Sequence, residues 1–127
     1  PKDQIINIEY TRDKSKQKAA YKKSKAINLK SDIDSIYTST EKAARWYKAS
    51  VSSTKKRKAV TLSKDSVGGG FKFCVYQKGK RLKTVKVTKN DKVKTVKLPK
   101  KKGAYYVKVT KLTSKTTGAY YLGTYTY

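Results

Sequence analysis

Short apolar segments with a period of two fill most of the chain after residue 26. Clusters of Ser, Thr, Gly, Asn, Asp and Lys separate these segments, which is typical of an antiparallel all-β domain. We therefore predict about eight strands. They are residues 27–29, 33–37, 46–52, 59–63, 71–77, 81–87, 93–98 and 105–112, closed by a last segment at residues 120–125.

Alternation within these segments predicts which side chains face the core, since residues two apart share one face of a strand. The predicted core sets are Phe71, Phe73 and Val75; Tyr105, Val107 and Val109; Val85 and Val87; Val60 and Leu62; and Tyr47 and Val51. Lysines occupy alternate positions, as at Lys48, Lys72, Lys86 and Lys108. Much of the Lys is thus predicted to form a solvated outer face, which also discourages edge-to-edge aggregation of sheets.

Residues 1–25 differ from the rest because they are polar and dense in Lys. A short apolar patch between Ile5 and Tyr10 favours an extra strand, and residues 14–26 have the length of about three helical turns with a thin apolar face. We predict a basic N-terminal arm or extra strand over residues 1–25 and one β-sandwich domain over residues 26–127, which fits the usual size of a domain. Because Pro1 is not preceded by Met or an apolar leader, we expect a processed or excised fragment.

The charge of the chain is strongly one-sided. Lys and Arg number 33 against eight Asp and Glu, for a formal net charge of +25. A field of this size attracts polyanions. The only arginines are Arg12, Arg45, Arg57 and Arg81. Lys attracts phosphate and sulfate without the planar fork of a specific site, so the charge indicates bulk attraction to an acidic partner.

Residue types that carry familiar catalytic chemistry are scarce. The chain has no His, which removes the commonest general base, the usual Ser triad and most zinc sites. Asp32 and Asp34 are the nearest acidic neighbours and are expected to form a turn. Cys74 is the only cysteine, and we expect a passive, half-buried thiol beside Lys72 and Tyr76. We therefore predict no catalytic residues, no cofactor and no metal site.

Three short segments predict turns. Gly68, Gly69 and Gly70 precede a candidate strand without the GK[ST] or helix of a phosphate-binding loop, so we expect a flexible turn. Lys78 with Gly79, and Asn90 with Asp91, predict hairpins between strands.

Four candidate strands have a recognisable series of sequences. They read RWYKASV at residues 45–51, FKFCVY at 71–76, GAYYVKV at 103–109 and TGAYYL at 117–122. In this order they resemble the DWYxFxL-like, FxLxLY, GTYYIRV and SGAYTL strands of the bacterial pre-peptidase C-terminal domain. The resemblance covers roughly residues 26–127.

The resemblance implies a small, jelly-roll-like β-sandwich of the type appended to secreted peptidases and surface proteins. Collagen-binding domains of clostridial collagenases are relatives of that family. It therefore implies a secreted or cell-surface location and a non-catalytic accessory role. Arg45 stands where the family has an acid before the tryptophan, and the acid-rich loops that hold calcium in some relatives are missing, so calcium dependence is not expected.

Four aromatic residues are candidates for ligand contact. By strand parity Trp46, Tyr76, Tyr106 and Tyr121 project outward, and we predict that they line one outer surface. Exposed Trp and Tyr offer large rigid area and a hydrogen-bonding tip, and ligands of the collagen-binding relatives meet tyrosines on a sheet face. The alternative is that these rings pack under loops or across the other sheet.

Two basic clusters are candidates for polyanion contact. They are Lys55, Lys56, Arg57 and Lys58, and Lys100, Lys101 and Lys102. Both are expected in turns at an end of the sandwich, where they form either a polyanion-binding patch or simple solvated loops.

Three functions compete for this sequence. The first is a binding module that contacts an anionic surface polymer, a glycan or a collagen-like protein. The second is non-specific nucleic-acid binding, which the interleaved Lys and Tyr favour and the scarcity of Arg and of known motifs opposes. The third is a structural spacer within a longer surface protein.

Overall fold

The computed structural model of the chain describes residues 21–29, 33–36, 44–88 and 93–127, which form a β-sandwich. A short 3-10 turn at Lys23–Lys25 precedes the strands. The strands are β1 (Ile27–Asn28), β2 (Ile33–Ile36), β3 (Arg45–Val51), β4 (Lys58–Gly68), β5 (Phe71–Gln77), β6 (Lys80–Val87), β7 (Val93–Lys97), β8 (Gly103–Lys111) and β9 (Thr117–Thr126).

The strands divide into two sheets that face each other. One sheet has the order β1-β3-β8-β5-β6, and the other has the order β2-β9-β4-β7. Among strands that follow each other in sequence, only β5 and β6 belong to the same sheet. All the remaining connections cross from one sheet to the other, as in double-sheet jelly rolls. The antiparallel β-sandwich predicted from the sequence is confirmed, except that β1 pairs parallel to β3.

Most predicted strands are found within a few residues of their expected bounds, and β5 matches its prediction at both ends. The largest difference is in β4 and β9, which extend to Gly68 and back to Thr117. These two strands pair along most of their length, with a register irregularity between Asp65 and Gly68. Polar residues belong to the strands there because their backbone groups form hydrogen bonds with the neighbouring strand. The alternation of hydrophobic residues does not indicate such pairing.

The core is formed by the inward faces that alternation predicted. Tyr47 of β3 and Tyr120 of β9 are fully buried, and their hydroxyl oxygens lie 2.5 Å apart in a hydrogen bond that joins the two sheets. The Phe71 ring meets the Tyr120 ring edge to face, with centroids 5.0 Å apart. Such aromatic contacts stabilise the folded state by roughly 0.5–1.5 kcal/mol beyond the contribution of the apolar surface that they bury. This cluster therefore fixes the five-stranded sheet against the four-stranded sheet.

Gly69 and Gly70 form a closely packed turn between β4 and β5. Gly69 has a φ of +70°, and a Cβ on Gly70 would lie 2.1 Å from the carbonyl oxygen of Val87. The buried Thr116 hydroxyl donates to the Gly70 carbonyl oxygen at 2.9 Å and accepts from the Gly70 amide at 3.2 Å. A turn is therefore found at Gly69 and Gly70, but Gly68 is the last residue of β4, and the expectation of a flexible turn is wrong. Lack of space as well as backbone conformation requires these two glycines.

The β5–β6 hairpin predicted at Lys78 and Gly79 is confirmed as a two-residue turn, in which Gly79 suits its position and Lys78 is a less favoured residue at the first. Lys78 and Gly79 have φ values of 52° and 78°, the double left-handed conformation of a two-residue hairpin. The hairpin predicted at Asn90 and Asp91 and the apolar patch near Ile5 lie outside the described residues, as does the helical stretch before residue 21. In the described part of the chain, no helix has the length and hydropathy needed to cross a bilayer.

Candidate functional site

Two basic loops meet at one end of the sandwich. Val51, the last residue of β3, is the strand partner of Gly103, the first residue of β8, so the loops at residues 52–57 and 98–102 lie side by side. Leu98 joins them, because its amide donates to the Lys58 carbonyl oxygen at 2.8 Å and its own carbonyl accepts from Arg57 Nε at 3.2 Å.

The β5–β6 hairpin is the third segment at this end. A Cβ added to Gly103 would lie 2.8 Å from Gln77 Nε2, which shows how closely the last residue of β5 approaches the start of β8. The hairpin residues Lys78 and Lys80 are exposed beside it. We call residues 52–58, 78–80 and 98–102 together the cationic end.

The cationic end holds nine Lys and Arg and no acidic residue. In the described residues the acids are Asp34 in β2 and Asp65 in β4. Asp65 stands seven residues beyond Lys58 on β4, roughly 23 Å at the usual rise of a strand. The Debye length at physiological salt is about 8 Å, so at this separation Asp65 does little to offset the positive charge of the cationic end. A strong positive potential is therefore expected over these loops.

A cleft of about 260 Å³ opens in the first loop of the cationic end. It is lined by Val51, Ser52, Ser53, Lys55, Lys56, Lys58 and Thr126. Hydrogen bonds shape it: the Lys55 amide donates to Ser53 Oγ at 3.2 Å, and Lys58 Nζ donates to the Ser50 carbonyl oxygen at 2.6 Å. Most of the lining is apolar, and the Lys and Ser side chains at this opening supply the groups that can bind a phosphate, sulfate or carboxylate group.

Three of the four predicted aromatic residues come together on the outer face of the five-stranded sheet. Trp46 and Tyr76 have ring centroids 5.6 Å apart, and Tyr76 is the strand partner of Tyr106. Lysines cover these rings: Lys108 Nζ lies 5.5 Å from the Trp46 ring centroid and Lys23 Nζ lies 4.8 Å from that of Tyr106. The rings are half-buried, and burial, followed by the neighbouring Cys74, raises the pKa of Tyr76.

The fourth aromatic, Tyr121, is on the opposite side of the molecule. It belongs to β9 in the four-stranded sheet, between the inward-facing Tyr120 and Leu122. The prediction of one outer surface with four aromatics is therefore wrong, because strand parity gives the face of a strand without saying which sheet the strand joins. Burial raises the pKa of the Tyr121 phenol.

Cys74 is more buried than the sequence indicated, and Arg45 is buried as well. Cys74 is 5% exposed, and its Sγ lies 3.5 Å from Oγ1 of its strand partner Thr84, so the expected half-buried thiol is covered. Arg45 is 8% exposed at the start of β3, on the core side. Among the described residues there is no cluster of three or more His, Cys, Asp or Glu suited to a metal ion.

Two parts of the site are not among the candidates that the local sequence patterns indicate. The sequence predicts a hairpin at Lys78 and Gly79, and nothing local in it shows that this hairpin, with Lys80, lies beside the other basic loops. Tyr125 and Tyr127 were also missed, although they continue the outward parity of Tyr121 along β9. That parity is the signal that would have found them.

The fold has a counterpart among solved structures. The chain is similar to the pre-peptidase C-terminal domain of a collagenase from Bacillus anthracis, with 17% sequence identity and a TM-score of 0.58. The match covers 79% of this chain and 92% of that domain. No family model and no curated protein sequence matches the chain. The resemblance to the pre-peptidase C-terminal domain is thus confirmed at the level of the fold.

Proposed function

We propose that this chain, which has the fold of a pre-peptidase C-terminal domain, is a non-catalytic accessory module that binds an anionic polymer through its cationic end. The observation that carries the proposal is the convergence of three loops with nine cations and no acid. Domains of this type are appended to secreted peptidases and surface proteins, which supports a role outside the cell or on its surface.

A polymer fits this end better than a small anion. The cations come from three separate loops, so one phosphate or sulfate group contacts only a few of them, whereas a chain with repeated charges contacts many at once. Lys supplies all but one of these charges, since Arg57 is the only arginine among them. Point charges on flexible stems favour polyanions in general over a single stereospecific ligand.

The test compares two triple variants of equal net charge. Lys55→Gln, Lys56→Gln and Lys100→Gln change the cationic end, while Lys83→Gln, Lys86→Gln and Lys115→Gln change exposed lysines elsewhere. Binding of each domain to wall teichoic acid and to dextran sulfate is measured by calorimetry at about 0.05 M and about 0.2 M salt. We expect the first variant to lose roughly tenfold in affinity and the control to lose less than threefold.

Two results would contradict the proposal. Equal losses in the two variants would show that total charge, and not the cationic end, attracts the polymer. Absence of binding to either polymer at low salt would remove polyanion binding altogether and favour a spacer domain.

A second candidate is binding of a neutral glycan or collagen-like chain on the outer face of the five-stranded sheet. The contact between Trp46 and Tyr76, with Tyr106 beside them, favours it because clustered rings offer a wide contact area. Such binding would be insensitive to salt and would be lost in Trp46→Ala, while the Lys55, Lys56 and Lys100 variant would keep it. Binding of a collagen peptide with the opposite response would exclude this face.

A further inference from the structure

Two exposed tyrosines stand on the outer face of the four-stranded sheet, next to the cationic end. Tyr125 and Tyr127 are 49% and 50% exposed, and two adjacent exposed rings form a larger apolar patch than a single exposed residue does. Their ring centroids are 5.7 Å apart with an angle of 39° between the planes, so the rings form one continuous surface. We call this pair the tyrosine strip.

The tyrosine strip is joined to the cationic end through the backbone. The Arg57 amide donates to the Tyr127 carbonyl oxygen at 2.9 Å, and the Tyr127 amide donates to the Arg57 carbonyl oxygen at 2.8 Å. Thr126, between the two tyrosines, lines the cleft that Lys55 and Lys56 also line. The strip and the cleft therefore lie on the two sides of one strand, within reach of a single polymer chain.

The surroundings of the strip are flat and rich in hydroxyl groups. Ala59 and Gly123, on neighbouring strands, carry no bulky side chain. The half-buried Thr61 and the exposed Thr95 pair across β4 and β7 with their Oγ1 atoms 3.4 Å apart. Lys97 Nζ lies over the Tyr127 ring, 5.7 Å from its centroid, so a cation stands against one face of this ring.

We propose that the tyrosine strip binds sugar rings, so that the polymer held at the cationic end is an anionic polysaccharide; this rests on the proposed function. Tyr rings offer an apolar surface with a hydrogen-bonding tip, which matches a sugar ring with its apolar face and its hydroxyl groups. Lys97 and the adjacent cleft then contact the sulfate, phosphate or carboxylate substituents. Nucleic-acid bases also stack on exposed tyrosine rings, so a single-stranded oligonucleotide serves as the competing ligand in the test.

The experiment separates the sugar contact from the charge contact. Dextran sulfate carries sugar rings and anionic groups, whereas inorganic polyphosphate carries anionic groups alone. The variant Tyr125→Ala with Tyr127→Ala is compared with Tyr21→Ala, which removes a tyrosine of equal exposure elsewhere. We expect the double variant to lose roughly fivefold or more in affinity for dextran sulfate and less than twofold for polyphosphate, with Tyr21→Ala unchanged for both.

A complementary measurement uses the wild-type domain, so that the test does not depend on the folding of a variant. With tyrosine rings labelled for NMR, saturating dextran sulfate is expected to shift the ring signals of both Tyr125 and Tyr127. Polyphosphate is expected to leave the Tyr125 signals in place, since Lys97 lies over the Tyr127 ring alone. The variant Tyr125→Phe with Tyr127→Phe keeps the rings and is expected to retain most of the affinity for dextran sulfate.

Several outcomes would overturn the inference. Equal losses of both polyanions in the double Ala variant, or unshifted ring signals with dextran sulfate, would show that the strip does not contact sugar. A larger loss for a single-stranded oligonucleotide than for dextran sulfate would assign the strip to nucleic acid. Failure of the wild-type domain to bind either polyanion would overturn the proposed function as well, and is thereby distinguished from the other results.

Discussion

The two ends of the sandwich connect the same two sheets but differ in what their loops contain: exposed like charges at one end and buried hydrogen bonds at the other. At the cationic end, exposed ammonium groups from three loops crowd together without a carboxylate in those loops. At the other end, which we call the packed end (residues 69–70, 87–88 and 112–116), the buried Thr116 hydroxyl bonds to Gly70 and accepts from the Thr113 amide at 3.3 Å. Hydrogen bonds join the loops at both ends, as at Leu98 and Arg57 of the cationic end. The packed end also buries a polar side chain, Thr116, whereas the cationic end exposes its ammonium groups to a ligand.

Because of this difference, we expect stability and ligand binding to depend on different ends of the molecule. Unpaired like charges cost free energy, and natural proteins tolerate such a cost mainly where function needs it. Buried hydrogen bonds at the packed end and the link between Tyr47 and Tyr120 in the core provide compensation. Changes at the packed end should therefore alter the free energy of unfolding, and changes at the cationic end should alter affinity.

The largest expected effect is at Gly70. In Gly70→Ala the new Cβ would meet the Val87 carbonyl oxygen at 2.1 Å, so β5 and β6 must move apart. Overpacking of this kind costs about 3 kcal/mol in the free energy of unfolding. Urea denaturation measures the loss, and the folded fraction should bind dextran sulfate with unchanged affinity. An equally stable Gly70→Ala domain would show that the packed end is not close-packed.

A smaller effect is expected at Gly79, in the hairpin at the cationic end. Gly79 has a φ of +78° and nothing within 4 Å of an added Cβ, so Gly79→Ala changes only the backbone preference. The expected cost is about 1 kcal/mol, and Gly79→Asn should recover part of it because Asn tolerates this conformation. Measured under one set of conditions, the losses in the free energy of unfolding for Gly70→Ala and Gly79→Ala show how much close packing contributes relative to backbone conformation. A loss at Gly79 that exceeds the loss at Gly70 would reverse the comparison.

The smallest expected effect is a pH dependence of the free energy of unfolding. It arises at Tyr76, on the outer face of the five-stranded sheet between the two ends. Burial and Cys74 raise the pKa of Tyr76 above its ordinary 10.0, so the folded state favours the neutral phenol. The resulting stabilisation is complete below pH 10.0 and is lost as the pH rises through the folded-state pKa. Tyr76→Phe should therefore lose less stability than the wild type at alkaline pH.

Ultraviolet titration checks the pKa of Tyr76 directly. The wild-type curve minus the Tyr76→Phe curve should have its midpoint above 10.0. A midpoint at or below that value would show that the outer face is more open to water than its half-buried rings indicate.

Local features of the sequence predicted the sandwich well. Phe71, Phe73 and Val75 alternate with Lys72 and Cys74, so their strand and its inward face follow from residue type alone. The extensions of β4 and β9 could not be predicted in this way, because pairing between distant backbones, and not side-chain hydrophobicity, brings Lys, Asp and Thr into those strands.

The candidate site was less predictable because it depends on contacts between distant segments. Lys55 and Lys100 were identified as members of basic loops, but their proximity follows from the pairing of Val51 with Gly103. Tyr121 was assigned to the wrong surface for the same reason, since parity does not identify the sheet. The burial of Cys74 depends on side chains of β6 and β8 that a reading of β5 alone does not include.

The central claim is that the cationic end, and not the charge of the whole chain, binds an anionic polymer. The most direct measurement is an NMR titration of the amide-labelled domain with dextran sulfate at physiological salt. We expect the largest shifts at residues 52–58, 78–80 and 98–102, and small shifts at the packed end and on the outer face of the five-stranded sheet. Shifts spread evenly over the exposed lysines, or largest around Trp46 and Tyr106, would contradict the account.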